Sequence, residues 1–393
     1  MSELAGTVAD EVDRRAETLI DVSHQIWAHP ELCFEEHFAH DLLCDVLESD
    51  GFAVTRGAYG LPTAFEARAG SGGPTIAVCC EYDALPEIGH ACGHNVIAAA
   101  GLGAGMAAGA LAGELGGTVV VLGTPAEEGG GGKILMMDQG ALDGVDAAMM
   151  VHPADQDLDG LIVLANRQLN VTFTGQPAHA AAAPHQGRNA LDAAVLAYMN
   201  IAALRQHIEG HERIHGIFTH GGDKPNIVPH RAEMQWYVRS GNAEALADLM
   251  PRVINALEAG ALAAGCTVEV DYPSPPYDDL VTSRAILAAY EANIADRGRH
   301  VGSLVDRPEF MGSTDMGNVS YKVPSIHPMI QVAPRGVAIH TPEFATHTAG
   351  AGGDKAVVDG AVAMARTIVD LWTDGELLAR ATGDLESSDA QGG

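Results

Sequence analysis

The sequence predicts an α/β protein, with a mixed, largely parallel sheet in a catalytic domain and an inserted β-α-β-β-α-β unit of ferredoxin-like type. Three observations predict it. Helical and extended hydrophobic periods alternate along the first part of the chain, the pattern of parallel sheets covered by helices. Near Gln168 the order changes to strand, helix, strand, strand, helix, strand, the split β-α-β unit. The 393 residues, 47% hydrophobic and 19% charged, suffice for two or three domains with a sizeable core. The expected domains are residues 1–167 with 280–393, and residues 168–279.

Residues 5–28 and 37–49 have the spacing of amphipathic helices, and Gly51 to Thr55, Thr63 to Arg68 and Thr75 to Cys80 read as strands. Val96 to Gly113 is uncharged for long enough to raise a membrane-spanning reading. It is mostly Ala and Gly, which contribute little to lipid transfer, so a buried helix packed closely on a sheet is expected. A strand at Thr118 to Leu122, a short helix near Lys133 to Gln139 and a strand at Ala147 to Val151 follow. In the inserted unit the strands are Leu169 to Thr174, Ile214 to Thr219, Ala232 to Arg239 and Thr267 to Tyr272, with helices at Asn189 to His207 and Ala243 to Ala264. Pro273 to Tyr277 reads as the exit linker. A helix from Ser283 and a last helix, Val357 to Trp372, complete the larger domain. The polar, Gly- and Ser-rich tail after Asp374 is expected to fray.

The formal net charge of −30 repels phosphate backbones and anionic lipid, so neither nucleic acid nor a membrane is an expected partner. The N-terminal stretch is acidic and lacks the basic start and apolar core of a signal peptide, so a cytoplasmic location is expected. Six cysteines show no disulfide spacing; free thiols, or one metal ligand, are expected.

Four polar clusters fall just after predicted strands: Glu81 and Asp83, His90-Ala-Cys92-Gly-His94, Glu127-Glu128, and His152. Ligands of open α/β sheets bind outside the carboxyl ends of the strands, so the clusters are expected to share one crevice. Thiolate, imidazole and carboxylate are donors for zinc-like metals. Singly, each has a plainer reading: a loop composition, a solvated turn, a strand end. The glycine run ending at Lys133 is not a phosphate loop, because Ile134 follows the lysine and two carboxylates precede the run. Cys92 with His94 also reads as a nucleophile and base.

At these residues the sequence resembles the dinuclear-metal peptidase and amidohydrolase family that includes glutamate carboxypeptidase, carnosinase and hippurate hydrolase. The match runs through Glu81-Tyr-Asp83-Ala-Leu-Pro86, His90 to Asn95, Thr124 to Gly129, His152-Pro153, Ala178-His179-Ala180, Asn226 to Pro229, Gly312-Ser-Thr-Asp-Met-Gly317 and His340-Thr-Pro-Glu-Phe344. It looks most like the p-aminobenzoyl-glutamate hydrolase and β-alanyl-lysine dipeptidase branch. The resemblance implies two divalent ions, zinc first, with manganese, cobalt or nickel also fitting the donors. It implies Cys92, His94, Glu128, His152 and His340 as ligands, Glu127 as general base, and Asp83 as the carboxylate that orients a ligand. His179, Asn226, Arg239, Ser313 and Thr314 match substrate-facing positions. The inserted domain would serve as a lid and dimerisation domain, with His179 reaching the partner's site in a homodimer. Asn95 stands where many relatives have Asp. His340 is preferred to His347 as ligand because Thr341-Pro-Glu-Phe follows it.

The chemistry so implied is hydrolysis of an amide in a small N-acyl amino acid or dipeptide. A metal pair lowers the pKa of its water toward roughly 7, and Glu127 takes the proton and returns it to the leaving amine. His179 supplies a donor to the oxyanion and Arg239 a cation for a substrate carboxylate, although Arg239 reads equally well as a solvated strand-end charge. The rival readings are a thiol hydrolase using Cys92 and a non-catalytic binding subunit that keeps the fold.

Overall fold

A computed structural model describes residues 2–304 and 311–389. The chain forms two compact units, residues 1–162 with 280–393, and residues 163–279. The boundary expected between residues 167 and 168 falls inside a ten-residue strand, Ala165–Thr174.

The first unit is built on a six-stranded sheet in the order Ala53–Arg56, Phe65–Gly70, Thr118–Gly123, Thr75–Cys80, Ala147–Met149, Ser325–Ile326. The first two pairings are antiparallel and the last three parallel. The central strands carry unbroken apolar runs and are buried along almost their whole length, as strands covered on both faces must be. One face packs on the helices Ser2–Ala28, His94–Leu115 and Ala351–Thr373. The other packs on a smaller core that includes Met136, Met316 and Val319.

His94–Leu115 is the one helix among the described residues long and apolar enough to cross a membrane, and 83% of its most apolar stretch is buried inside the protein. Its small residues permit close approach to the sheet: a Cβ on Gly105 would lie 2.2 Å from Val121 Cγ2, and one on Gly101 2.6 Å from Cys80 Sγ. The C-terminal expectation is corrected. The segment after Asp374 is a helix, Gly375–Asp389, not a frayed tail. Asp374 caps it by accepting from Glu376 N and Leu377 N, and Leu377 and Ala381 are buried. Asp384 accepts from Ser283 Oγ and Ala285 N. Two buried apolar positions, one cap and the Asp384 contacts to a neighbouring helix outweigh a polar composition. The preceding helix also starts earlier than expected, at Ala351, after a separate short helix Pro342–Thr348.

The second unit is an antiparallel sheet in the order Thr267–Asp271, Ala165–Thr174, Arg231–Ser240, Arg213–His220. Along Arg231–Ser240 burial alternates residue by residue, and the inner positions Met234, Trp236 and Val238 meet the helices Ala190–Leu204 and Ala243–Ala264. Asn189 and Asn242 cap these helices through their side-chain oxygens. The order strand, helix, strand, strand, helix, strand is the β-α-β-β-α-β arrangement.

Candidate metal centre

The four strands Thr118–Gly123, Thr75–Cys80, Ala147–Met149 and Ser325–Ile326 run parallel, so the residues that follow them emerge at one sheet edge. Glu81 and Asp83, Glu127 and Glu128, His152, and His327 are all delivered this way. Cys92 and His94 arrive at the start of the helix that crosses under the sheet. Gly93 between them has φ +88°, and a Cβ there would lie 2.7 Å from Pro153 Cγ, so the turn that presents both side chains requires glycine.

Three three-donor groups form among the described residues: Cys92, His94 and His152; Cys92, Glu128 and His340; and Glu81, His94 and Glu127, with all donor atoms in each within 4.8 Å of one another. Cys92 belongs to the first two and His94 to the first and third. Metal–nitrogen and metal–oxygen bonds of about 2.0–2.1 Å and metal–sulfur bonds of about 2.3 Å put tetrahedral donors roughly 3.3–3.6 Å apart. Cys92 Sγ lies 3.3 Å from His152 Nε2, and His340 Nε2 lies 3.4 Å from Glu128 Oε1. Both spacings fit a shared ion.

The imidazoles are set for ligation. His94 Nδ1 donates to Asp83 Oδ1 at 2.9 Å, and His152 Nδ1 donates to the Pro153 carbonyl at 2.8 Å. Each Nε2 is left with its lone pair directed inward, the usual orientation of a ligand histidine. His94 Nε2 and Glu128 Oε1 are buried with no hydrogen-bond partner among the described residues, which costs free energy unless a cation satisfies them. The donor set therefore fits a pair of divalent ions.

Glu127 Oε2 and Glu128 Oε1 lie 3.9 and 3.8 Å from His94 Nε2. Burial pushes the Glu127 carboxyl well above its ordinary range, with Glu81 and Glu128 adding to the effect. Burial also pushes the Cys92 thiol up, again reinforced by Glu128.

Behind the ligands is a group not assigned from the sequence. Lys133, buried, donates from Nζ to Glu81 Oε1 and to Asp315 Oδ1, both at 2.5 Å, and from its backbone N to Asp315 Oδ2 at 3.0 Å. Burial alone would raise the Glu81 carboxyl, but the Lys133 ammonium holds it below its usual range. His327, also buried, places its ring 5.3 Å from that of His152. The sequence marks Glu81 as a strand-end carboxylate and Lys133 as a failed phosphate-loop lysine, but their pairing joins residues 52 apart in sequence. No local pattern marks His327.

Thr314 is buried, and its Oγ1 accepts from Met316 N at 3.3 Å; Ser313 is half-buried beside it. His340 has φ +63° and donates its backbone N to the Ala91 carbonyl. His347 lines a separate cavity of about 700 Å³ with Arg299 and Lys355 and belongs to none of the donor groups. Asn95 donates from Nδ2 to Ser23 Oγ and to the Thr348 carbonyl; an aspartate could still accept from the serine but would oppose the carbonyl with a second acceptor. His90 makes its contact with the Ile26 carbonyl.

His179, Asn226 and Arg239 belong to the second unit. His179 Nδ1 accepts from Ala181 N and Ala182 N at 3.2 and 3.1 Å, so its proton sits on Nε2. The Asn226 carbonyl accepts from Ala180 N, which ties the two loops together. Arg239 is half-buried over the Tyr237 ring, 5.6 Å from its centroid, and burial lowers its pKa.

Comparison with known proteins adds the lineage. The profile of peptidase family M20/M25/M40 matches residues 79–370. Human Xaa-Arg dipeptidase is 39% identical over 94% of this chain and 89% of its own length, and the mouse enzyme 38% over 92% and 88%. A p-aminobenzoyl-glutamate hydrolase chain of Escherichia coli is 31% identical over 96% and 94%. Among solved structures, an aminobenzoyl-glutamate utilization protein from Klebsiella pneumoniae has a TM-score of 0.73 at 20% identity, covering 92% of this chain and 98% of its own. A dinuclear metal binding peptidase from Bacillus subtilis has a TM-score of 0.69 at 21% identity, covering 91% and 99%; at such identities these two speak for the fold. With a profile matching most of the chain and relatives aligned along nearly all of it, this chain belongs to peptidase family M20/M25/M40 and is a metallohydrolase.

Proposed function

We propose that the protein hydrolyses the amide bond of a dipeptide or small N-acyl amino acid, with dipeptides carrying a C-terminal basic residue as the first substrates to test. The observation that carries this reading is the pair of three-donor groups sharing Cys92, with the Glu127 carboxylate beside them. The substrate preference rests on the human and mouse relatives named Xaa-Arg dipeptidase.

Cys92, His94, His152, Glu128 and His340 would hold two divalent ions, zinc or another of similar donor preference, which polarise the scissile carbonyl and acidify the attacking water when bound. Glu127 takes a proton from that water and passes it to the departing amine. Its burial between like charges makes it a stronger base than an ordinary glutamate. Asp83 holds His94 in its ligating tautomer. His179 presents an Nε2 proton, fixed by the two backbone donors on Nδ1, as the donor to the oxyanion. Asn226 and Arg239 supply a polar and a cationic contact for the substrate's carbonyl and carboxylate, and Ser313 and Thr314 line the same substrate. The second unit acts as the lid and dimerisation domain of a homodimer in which His179 serves the partner's site, and the protein works in the cytoplasm. Burial of the Cys92 thiol, with its raised pKa, disfavours the thiol-hydrolase reading.

The test is dialysis against a chelator, reconstitution with zinc, manganese, cobalt or nickel, and assay on Xaa-Arg dipeptides, β-alanyl-lysine, p-aminobenzoyl-glutamate and N-acyl amino acids. Activity lost with the metal and restored by it is expected, highest on the basic dipeptides. Activity that survives chelation would transfer the reaction to Cys92. Stoichiometric metal without turnover on the whole panel would overturn the substrate assignment.

A further inference from the structure

Glu81 is one of four carboxylates among the described residues, with Glu36, Glu128 and Asp155, that have a buried oxygen without a hydrogen-bond partner, and of these it is the one that also receives a lysine ammonium. Its Oε1 receives the Lys133 ammonium at 2.5 Å, but its Oε2, equally buried, has no hydrogen-bond partner among the described residues and lies 3.5 Å from His94 Nε2. An ion pair serving stability alone has no reason to leave one oxygen of a buried carboxylate without a donor. Glu81 groups with His94 and Glu127, within 4.8 Å of each, and not with Cys92, the donor common to both candidate ion sites. Its Oε2 therefore sits beside both the base and the His94 imidazole. A water that donates to two acceptors, each about 2.8 Å away, holds those acceptors about 4.4 Å apart, a separation the Glu81 and Glu127 carboxylates accommodate.

We propose that Glu81 is a further catalytic residue, accepting a hydrogen bond from the second hydrogen of the attacking water while Glu127 removes the first, and that Lys133 is the positioning residue that aims it. The inference rests on the hydrolytic reading above. During the reaction the water oxygen bonds to the carbonyl carbon, Glu127 receives one proton and delivers it to the nitrogen as the C–N bond breaks, and Glu81 exchanges no proton. With both hydrogens directed, the oxygen lone pair is turned toward the carbonyl, an orientational contribution to rate. Lys133 performs the aiming from a fixed base, because Asp315 grips it through both Nζ and the backbone N.

The test compares Glu81→Gln, Lys133→Met, Lys133→Arg and the Glu81→Gln/Lys133→Met double variant with the wild type on the best substrate of the panel, alongside metal titration and thermal unfolding. Glu81→Gln should lower kcat about 10- to 100-fold with KM within about twofold, and retain metal stoichiometry and affinity. Lys133→Met should lower kcat similarly, Lys133→Arg should recover part of it, and the double variant should be no slower than Glu81→Gln, since Lys133 acts through Glu81. Glu81→Gln with wild-type kcat would overturn the proposal, as would loss of metal, which would make Glu81 a ligand. Losses that multiply in the double variant would overturn the role of Lys133. If Lys133→Met does not fold, the isosteric Glu81→Gln and the charge-preserving Lys133→Arg decide the two roles. A wild type inactive on every substrate would instead defeat the hydrolytic reading, and this inference with it.

Discussion

Asp83→Asn is the sharpest probe of how the centre is held. Three donors converge on two carboxylate oxygens: His94 Nδ1 on Oδ1 at 2.9 Å, and Glu128 N and Cys33 Sγ on Oδ2 at 3.0 and 3.4 Å. Burial alone would raise this carboxyl, but His94 and these hydrogen bonds bring it to about 2, so it carries its charge at any working pH. Asparagine has one acceptor oxygen. Kept toward His94, it turns its NH₂ on the Glu128 N–H; flipped, it turns the NH₂ on His94 Nδ1 and drives that ring's proton to Nε2, the ligating atom. Either choice forfeits one buried, charge-assisted hydrogen bond, about 1.5–3 kcal/mol, equivalent to roughly 10- to 150-fold in metal affinity. That range agrees with the effect of removing a ligand's hydrogen-bond partner in other metal sites. Titration of the metal-free protein with zinc against a competing chelator reads it directly, with circular dichroism to confirm the fold. Cys33→Ala, which removes only the weak thiol donor, should stay within about twofold. A correctly folded Asp83→Asn with metal affinity within threefold of wild type would refute the reasoning.

The adjacent glutamates should separate: Glu127→Gln keeps its metal and loses at least about 100-fold in turnover, whereas Glu128→Gln loses metal, and an empty Glu127→Gln protein would reverse the assignment. His340→Ala should weaken metal binding severely and His347→Ala hardly at all, because only His340 approaches Glu128; the opposite ranking in a metal titration would move the ligand to His347. If His179 serves the partner's site, mixing inactive Glu127→Ala and His179→Ala homodimers under verified subunit exchange should restore about a quarter of wild-type activity, and a flat zero would rule out the shared site.

The strand-end clusters are legible in the sequence because alternation of helix and strand implies a parallel sheet, and a parallel sheet implies one edge for everything that follows its strands. The convergence of Glu81, Asp83, Glu127, Glu128 and His152 is readable on that ground; Cys92 and His94 sit further on, at the start of a helix, and the roles expected of all of them come only from the resemblance. What stays hidden depends on pairings across the chain. The Lys133 ion pairs with Glu81 and Asp315 span 52 and 182 residues, and a lysine after a glycine run carries no local sign of burial. The C-terminal helix is hidden for a related reason: its polar composition argues for fraying, whereas Leu377 and Ala381 find partners in the main core. The resemblance of Ala178-His179-Ala180 to family motifs can name the histidine, but its Nε2 tautomer emerges only from the backbone amides of Ala181 and Ala182.

Two consecutive residues, Glu127 and Glu128, both approach His94 Nε2, which an extended chain forbids because successive side chains point to opposite faces. The chain is not extended here: residues 127–130 form a turn, entered through Ala126 at φ +58°, a left-handed conformation that costs a residue with a side chain about 1–2 kcal/mol. Its surroundings hold it there. Ala126 N donates to Glu36 Oε1 at 2.9 Å, and the Ala126 carbonyl accepts from Gly130 N and Gly131 N. The same Glu36 oxygen accepts from the backbone N of Phe34, itself at φ +64°, so one buried carboxylate fixes two left-handed turns. Glu36 belongs to none of the three-donor groups, yet it secures the entry to the turn that brings Glu127 and Glu128 to one centre.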